Sequence, residues 1–257
     1  MTAQADRDVV YIVKASENND ELRHSLRSVA EHLPHRRVWL VGYRPRWVGP
    51  EVGYVPTIQR GPKHSNTWAN WVAASRCADI SDEFALFNDD FFVTKPIDDV
   101  PVVHRGPLND MITWYAHHRL TSHRQRAAVT RQSLQRAGHG EPLFSYELHV
   151  PMVINRHILA EAARWLSTRG STIAKRTFYG NLAGAGGERA HDVKVMRGKE
   201  GLPETALPFL STSPESWAGL AGGWVRQRFA ERGRYERVPS DHLYQPPATR
   251  GAARVRR

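Results

Sequence analysis

Asp89 and Asp90 stand side by side between the apolar runs Phe84-Ala85-Leu86-Phe87 and Phe91-Phe92-Val93. The runs read as a buried strand and its continuation. An ionised carboxylate taken out of water costs several kcal/mol unless it is paired or bound to a metal. Two adjacent ones repel each other, so the pair asks for a cation beside it, a hard divalent ion such as Mg²⁺ or Mn²⁺. The competing reading is a strand end where Asn88, Asp89 and Asp90 cap a turn.

The elements that must position this pair bring the ligand reading level with the turn reading. Val9–Val13 is a short apolar run, as expected of a strand buried on both faces. Asn18-Asn19-Asp20 offers a helix start, Leu22, Leu26 and Val29 mark one helical face, and Pro34 closes the helix. Arg37–Val41 is the next strand, so the segment is a βαβ unit with a parallel sheet. A short strand over Gly53–Pro56 and a helix over Asn66–Ala78, capped near Ser65 or Asn66, precede the Phe84–Phe87 strand. That order delivers Asn88-Asp89-Asp90 to the C-terminal edge of the strands, where ligands bind in open α/β sheets.

Further along, 107–140 carries Trp114, Tyr115, His117, His118 and His123 and is expected to form a helical insertion, a lid or an acceptor platform. A helix is expected over Arg156–Leu166, a flexible glycine-rich loop over Gly180–Gly187, a strand over Pro208–Ser213 and a C-terminal helix over Glu215–Arg232. His191 and Asp192 read as a solvated loop pair or a further metal ligand. The expected organisation is one domain over 1–244 and a disordered basic tail over 245–257.

Composition narrows the function classes. The 257 residues carry a net charge of +10, from which anionic partners follow. Only six of the 36 basic residues are lysines, and an arginine excess of this kind also arises from base composition alone. No RNA-recognition or helix-turn-helix signature accompanies it, so nucleic acid is not the expected partner. Cys77 is the single cysteine, which excludes an internal disulfide and a cysteine metal cluster, and it reads as a small buried helix residue. No run of apolar residues is long enough to span a membrane, and the polar start Met1–Asp8 lacks a signal-peptide core, so a cytoplasmic protein is expected.

Glu21-Leu22-Arg23-His24-Ser25-Leu26-Arg27-Ser28-Val29 and Phe87-Asn88-Asp89-Asp90-Phe91-Phe92 together resemble the second conserved region of the Stealth family of sugar-phosphate transferases. Glu147-Leu148-His149-Val150-Pro151 with the later Lys175-Arg176 resembles its third region, and Phe209–Ser213 with Arg234-Tyr235-Glu236 faintly resembles its last. The first turn departs from the family, because the strand runs into Lys14-Ala15-Ser16-Glu17-Asn18-Asn19. The resemblance implies a GT-A-like α/β fold, a mostly parallel sheet flanked by helices, that holds a nucleotide-diphosphate sugar donor. Asp89 and Asp90 would then bind Mn²⁺ or Mg²⁺, with Asp90 preferred as direct ligand because adjacent strand residues face opposite ways. Asn88 would share that side and bond a donor hydroxyl, and Arg23, Lys63 and Asn66 are further donor-binding candidates. His149 would be the general base and Arg176 a bidentate phosphate clamp. Without the resemblance they read as a core histidine and a surface arginine.

Metal-dependent glycosyl transfer to a glycan, lipid or protein hydroxyl is the leading expectation. Sugar-1-phosphate transfer with release of a nucleoside monophosphate is the alternative. A metal-dependent phosphoesterase and a basic nucleic-acid-binding module are the rivals from other classes.

Overall fold

The computed structural model describes residues 6–16, 18–166, 172–196, 202 and 206–237, and the basic tail 245–257 lies outside them. The chain opens with β1 (Asp8–Val13), α1 (Asp20–His32), β2 (Val38–Gly42), β3 (Gly53–Pro56), α2 (Lys63–Arg76) and β4 (Glu83–Asn88). These four strands run parallel in the order β3-β2-β1-β4, so β1 and β4 sit beside each other in the interior of the sheet. Both are fully buried along their apolar residues, as continuous Val, Ile, Leu and Phe runs require when helices cover both faces. Alternate residues supply two cores. Val10, Ile12, Phe84 and Leu86 pack with the Trp68 and Trp71 side of α2, whereas Val9, Tyr11, Ala85 and Phe87 pack with Leu22, Leu26 and Val29 of α1.

After the Asp89-Asp90 turn come β5 (Phe91–Val93) and β6 (Val103–His104), then α3 (Leu108–His117) and α4 (Thr121–Arg136). β7 (Met152–Asn155) returns antiparallel to β4, with Leu86 opposite Met152, and completes a mixed five-stranded sheet. Next are α5 (Arg156–Leu166), α6 (Lys175–Leu182), β8 (Glu188–Arg189), β9 (Lys194–Val195), β10 (Phe209–Thr212), α7 (Pro214–Ala218) and α8 (Leu220–Arg228). β5, β10 and β9 form a second, three-stranded sheet, and β6 pairs with β8. Among the described residues no helix is long and apolar enough to cross a membrane.

The α/β class and the mostly parallel sheet agree with the sequence reading, and several details do not. β5 is not a continuation of β4: the chain changes sheets at Asp89-Asp90, because β5 pairs with β10. α2 begins at Lys63 without a side-chain cap, since the Asn66 amide is bonded to Gly61 in both directions, at 2.7 and 3.0 Å. Cys77 lies just past the end of α2 and is partly exposed. The C-terminal helix is two helices, broken at the extended Gly219. Gly222 lets them pack closely, since a Cβ there would lie 1.8 Å from the Trp217 carbonyl oxygen. The glycine-rich stretch starts inside α6 and turns through Gly184, Gly186 and Gly187, all at positive φ.

Candidate active site

One face of α1 explains why the acidic turn is placed where it is. Glu21, Ser25, Ser28 and His32 recur at spacings of four, three and four, a polar stripe on a helix otherwise buried by leucine and valine. Ser25 donates to the Phe91 carbonyl, Ser28 accepts from the Val93 amide at 3.0 Å, and the His32 ring meets the Val93 carbonyl at 2.7 Å. α1 thus satisfies the free edge of β5 as a neighbouring strand would. Tyr11 of β1 extends the chain, its hydroxyl 2.8 Å from Ser25 Oγ, and burial pushes the phenol pKa upward. The turn before Phe91 is therefore fixed from both sides.

Within that turn the two aspartates differ. Asp90 Oδ2 accepts from Lys194 Nζ and from Ser211 Oγ, each at 3.0 Å, so β9 and β10 supply its counter-charge and a hydrogen bond. Asp89 is pushed up to about 7, first by burial and then by the charges of Asp90 and Glu21. Glu21 is itself raised by burial, with Asp90 adding to the rise while its bond from Thr212 opposes it. Lys194 on Asp90 and the charge of Lys63 near Asp89 do not offset this crowd of carboxylates, and Asp89 carries the surplus. That unmet demand for positive charge at oxygen ligands fits a hard divalent cation. Asp89 and Asp90 would hold it. Among the described residues no group of three or more His, Cys, Asp or Glu is placed to hold a metal ion. Mg²⁺ in phosphate sites is held by one or two carboxylates with the substrate's phosphates completing the shell.

His149 is the second centre. Its Nδ1 lies 2.9 Å from Asp192 Oδ2, and its backbone amide donates to Asp192 Oδ1 at 3.0 Å. Asp192 accepts Nδ1–H, so the tautomer leaves the Nε2 lone pair free on a side chain that is 38% exposed. Burial pushes the Asp192 carboxyl up, but the His149 ring and amide and the Arg105 charge outweigh it and hold the group down at about 2. A carboxylate that buttresses a half-exposed imidazole is the geometry of a general base.

Arg176 joins the two centres. Its guanidinium donates to the Val150 carbonyl and lies 5.7 Å from the Phe91 ring, and its Nε is buried without a hydrogen-bond partner. Burial lowers its pKa, against the pull of Glu147, Asp192 and Asp90. Lys63, exposed at the start of α2, is near enough to Asp89 to favour its ionisation. Asn88 ends β4 in register with Ile12, half-exposed at the same edge. Two candidates point elsewhere. Arg23 lies 3.4 Å from Glu236 and covers the Trp47 ring, and Asn66 is taken up by Gly61.

Asp192 and Lys194 were not assigned these roles from the sequence; Asp192 read, with His191, as a solvated loop pair or a further metal ligand. The signal was their spacing in Asp192-Val193-Lys194-Val195, where the valines are buried and the two charged residues share the other side of an extended segment. That one segment supplies the partner of His149 and the partner of Asp90. No protein-family model matches the chain, and no curated protein sequence does so either.

Proposed function

We propose that the protein is a metal-dependent transferase that moves a sugar from a nucleotide-diphosphate donor to a hydroxyl acceptor, on a GT-A-like scaffold. The observation that carries this reading is the His149–Asp192 pair standing one strand segment away from the Asp89-Asp90 turn, with Arg176 between them. A transferase of this kind needs a base for the acceptor hydroxyl and a positive field for the departing phosphate. His149 Nε2 takes the hydroxyl proton, and Asp192 steadies the imidazolium that forms. Arg176 and Lys63 supply fixed positive charge for the diphosphate, and Asn88 offers an amide to a donor hydroxyl. A divalent ion held by Asp89 and Asp90 supplies Lewis-acid neutralisation of the leaving phosphate when bound.

Arg176 also favours a second chemistry. A guanidinium so close to both the acidic turn and the base suits attack at the β-phosphorus, which transfers the sugar phosphate instead. Incubating the protein with sugar nucleotides, Mn²⁺ and a mixed acceptor pool, then identifying the nucleotide product, separates the two. A nucleoside diphosphate is expected; a nucleoside monophosphate establishes phosphate transfer. No metal-dependent turnover of any sugar nucleotide removes both readings.

A further inference from the structure

α4 closes over the start of α6. Thr130 is fully buried and accepts the Ala174 amide at 2.9 Å, which places Arg126, one turn earlier on α4, above Lys175. Arg126 donates to His64 Nε2 at 3.0 Å, and Lys175 is only 8% exposed. Arg105 reaches in from the end of β6, its guanidinium 5.9 Å from the Trp114 ring and its charge acting on the Tyr115 hydroxyl. His123 packs on Tyr115 at 5.5 Å. Burial lowers the pKa of His64, His123 and Lys175 alike, and the charge of Arg126 lowers all three further.

Two carboxylates face these cations, and both are engaged. Asp192 is bonded to His149, and Glu147 accepts the Thr177 amide of α6 at 3.1 Å. Three cations thus stand against two carboxylates around the start of α6, an excess of one positive charge on half-buried to buried side chains where repulsion is poorly screened. The mechanism above uses none of the three cations. Glu147, whose charge acts on Lys175, lies two residues before His149.

The geometry points to a second anion site, formed by Arg105, Arg126 and Lys175 under α3 and α4, that receives a phosphate monoester carried by the acceptor. Its role as an acceptor subsite rests on the transferase reading. Two guanidinium forks and an ammonium match the three terminal oxygens of a phosphate monoester, whereas a neutral glycan leaves the cations unpaired. Seated there, the phosphate would direct a neighbouring hydroxyl of the same molecule toward His149 Nε2.

The test is titration of inorganic phosphate into metal-free protein, followed by calorimetry, for the unaltered chain and for Arg126→Gln, Arg105→Gln and Arg176→Gln. Saturable binding is expected, weakened roughly fivefold or more by Arg126→Gln and by Arg105→Gln and little by Arg176→Gln. Thermal unfolding of each variant checks that it is folded, and both arginines are half-exposed, so their loss leaves the core intact. Absence of saturable binding overturns the site. So does binding that survives both Arg105→Gln and Arg126→Gln, or binding lost with Arg176→Gln alone, which would seat phosphate at the donor position. Neither donor nor metal enters this measurement. Failure of the transferase reading is registered separately, by absent turnover of sugar nucleotides.

Discussion

At the scale of single residues, the His149–Asp192 pair and Asp89 carry the sharpest expectations. General-base catalysis is worth about 10² to 10⁴ in rate, so His149→Ala should lower kcat by that order while KM for the donor changes little. Asp192→Asn should lower kcat less and shift the acidic limb of the pH–rate profile downward, because the imidazolium loses its carboxylate; an unshifted limb would mean that Asp192 is only structural. Asp192 also couples to stability. Its folded pKa of about 2 lies below the ordinary aspartate value, so the stabilisation is complete above about pH 4 and disappears as pH falls toward 2. Asp89 has the opposite sign. With a folded pKa of about 7, the native state holds a proton that the unfolded chain has released from about pH 4 upward, so stability declines between those values. Asp89→Asn should therefore raise Tm at pH 8, by roughly 3 °C or more, and do nothing at pH 4. Mn²⁺ should stabilise the unaltered protein at pH 8 more than it stabilises this variant. Equal gains from Mn²⁺ would move the metal away from Asp89. Asp89 and His149 were singled out in the sequence as candidates, from adjacent charge and from a resemblance. The pairing of Asp192 with His149 was not legible, because 43 residues separate the two and nothing local marks it.

At the scale of elements, the instructive one is α1. Its apolar face was readable from Leu22, Leu26 and Val29, as were β1, β2, β3, β4 and α5, because short apolar runs and helical spacing are local signals. The stripe Glu21–Ser25–Ser28–His32 gave no such warning, since a polar stripe on a helix ordinarily faces water. Here Ser25, Ser28 and His32 face β5, a strand with only one strand neighbour, and give its other edge hydrogen bonds, while Glu21 accepts from Thr212 of β10. The change of sheet at Asp89-Asp90 and the antiparallel β7 were hidden for the same reason: each depends on a partner distant in sequence. The stripe makes a measurable demand. Ser28 is fully buried, and Ser28→Ala leaves the Val93 amide without its acceptor. That should cost about 1–3 kcal/mol. It should also loosen β5 at its join to the acidic turn, so kcat falls by more than a surface substitution would cause. Ser28→Thr keeps the hydroxyl and should recover much of both. A Ser28→Ala protein with unchanged stability would show that the β5 edge finds another acceptor.

At the scale of the whole molecule, charge is the property that links sequence to encounter. The net charge is +10, and four arginines, Arg250, Arg254, Arg256 and Arg257, fall in the last 13 residues with no acid among them, so the chain through residue 244 carries +6. Two sources of attraction for an anionic donor are thus separable. On the transferase reading, the cations around His149 lie where the ligand would bind, partly shielded from solvent, and their field acts at contact distance. Attraction between exposed charges acts over the Debye length, which falls from about 10 Å at 0.1 M salt to about 3 Å at 1 M. If the site cations dominate, kcat/KM for a sugar nucleotide should fall several-fold between about 50 and 500 mM NaCl. A chain ending at Tyr244 should follow the same slope. Arg126→Gln should flatten that slope for a phosphorylated acceptor more than for a neutral one, because only the former would place a second anion beside Arg105 and Lys175. A slope that collapses on removing residues 245–257 would assign the attraction to the tail, and the cations beneath α4 would then have no part in drawing substrates in.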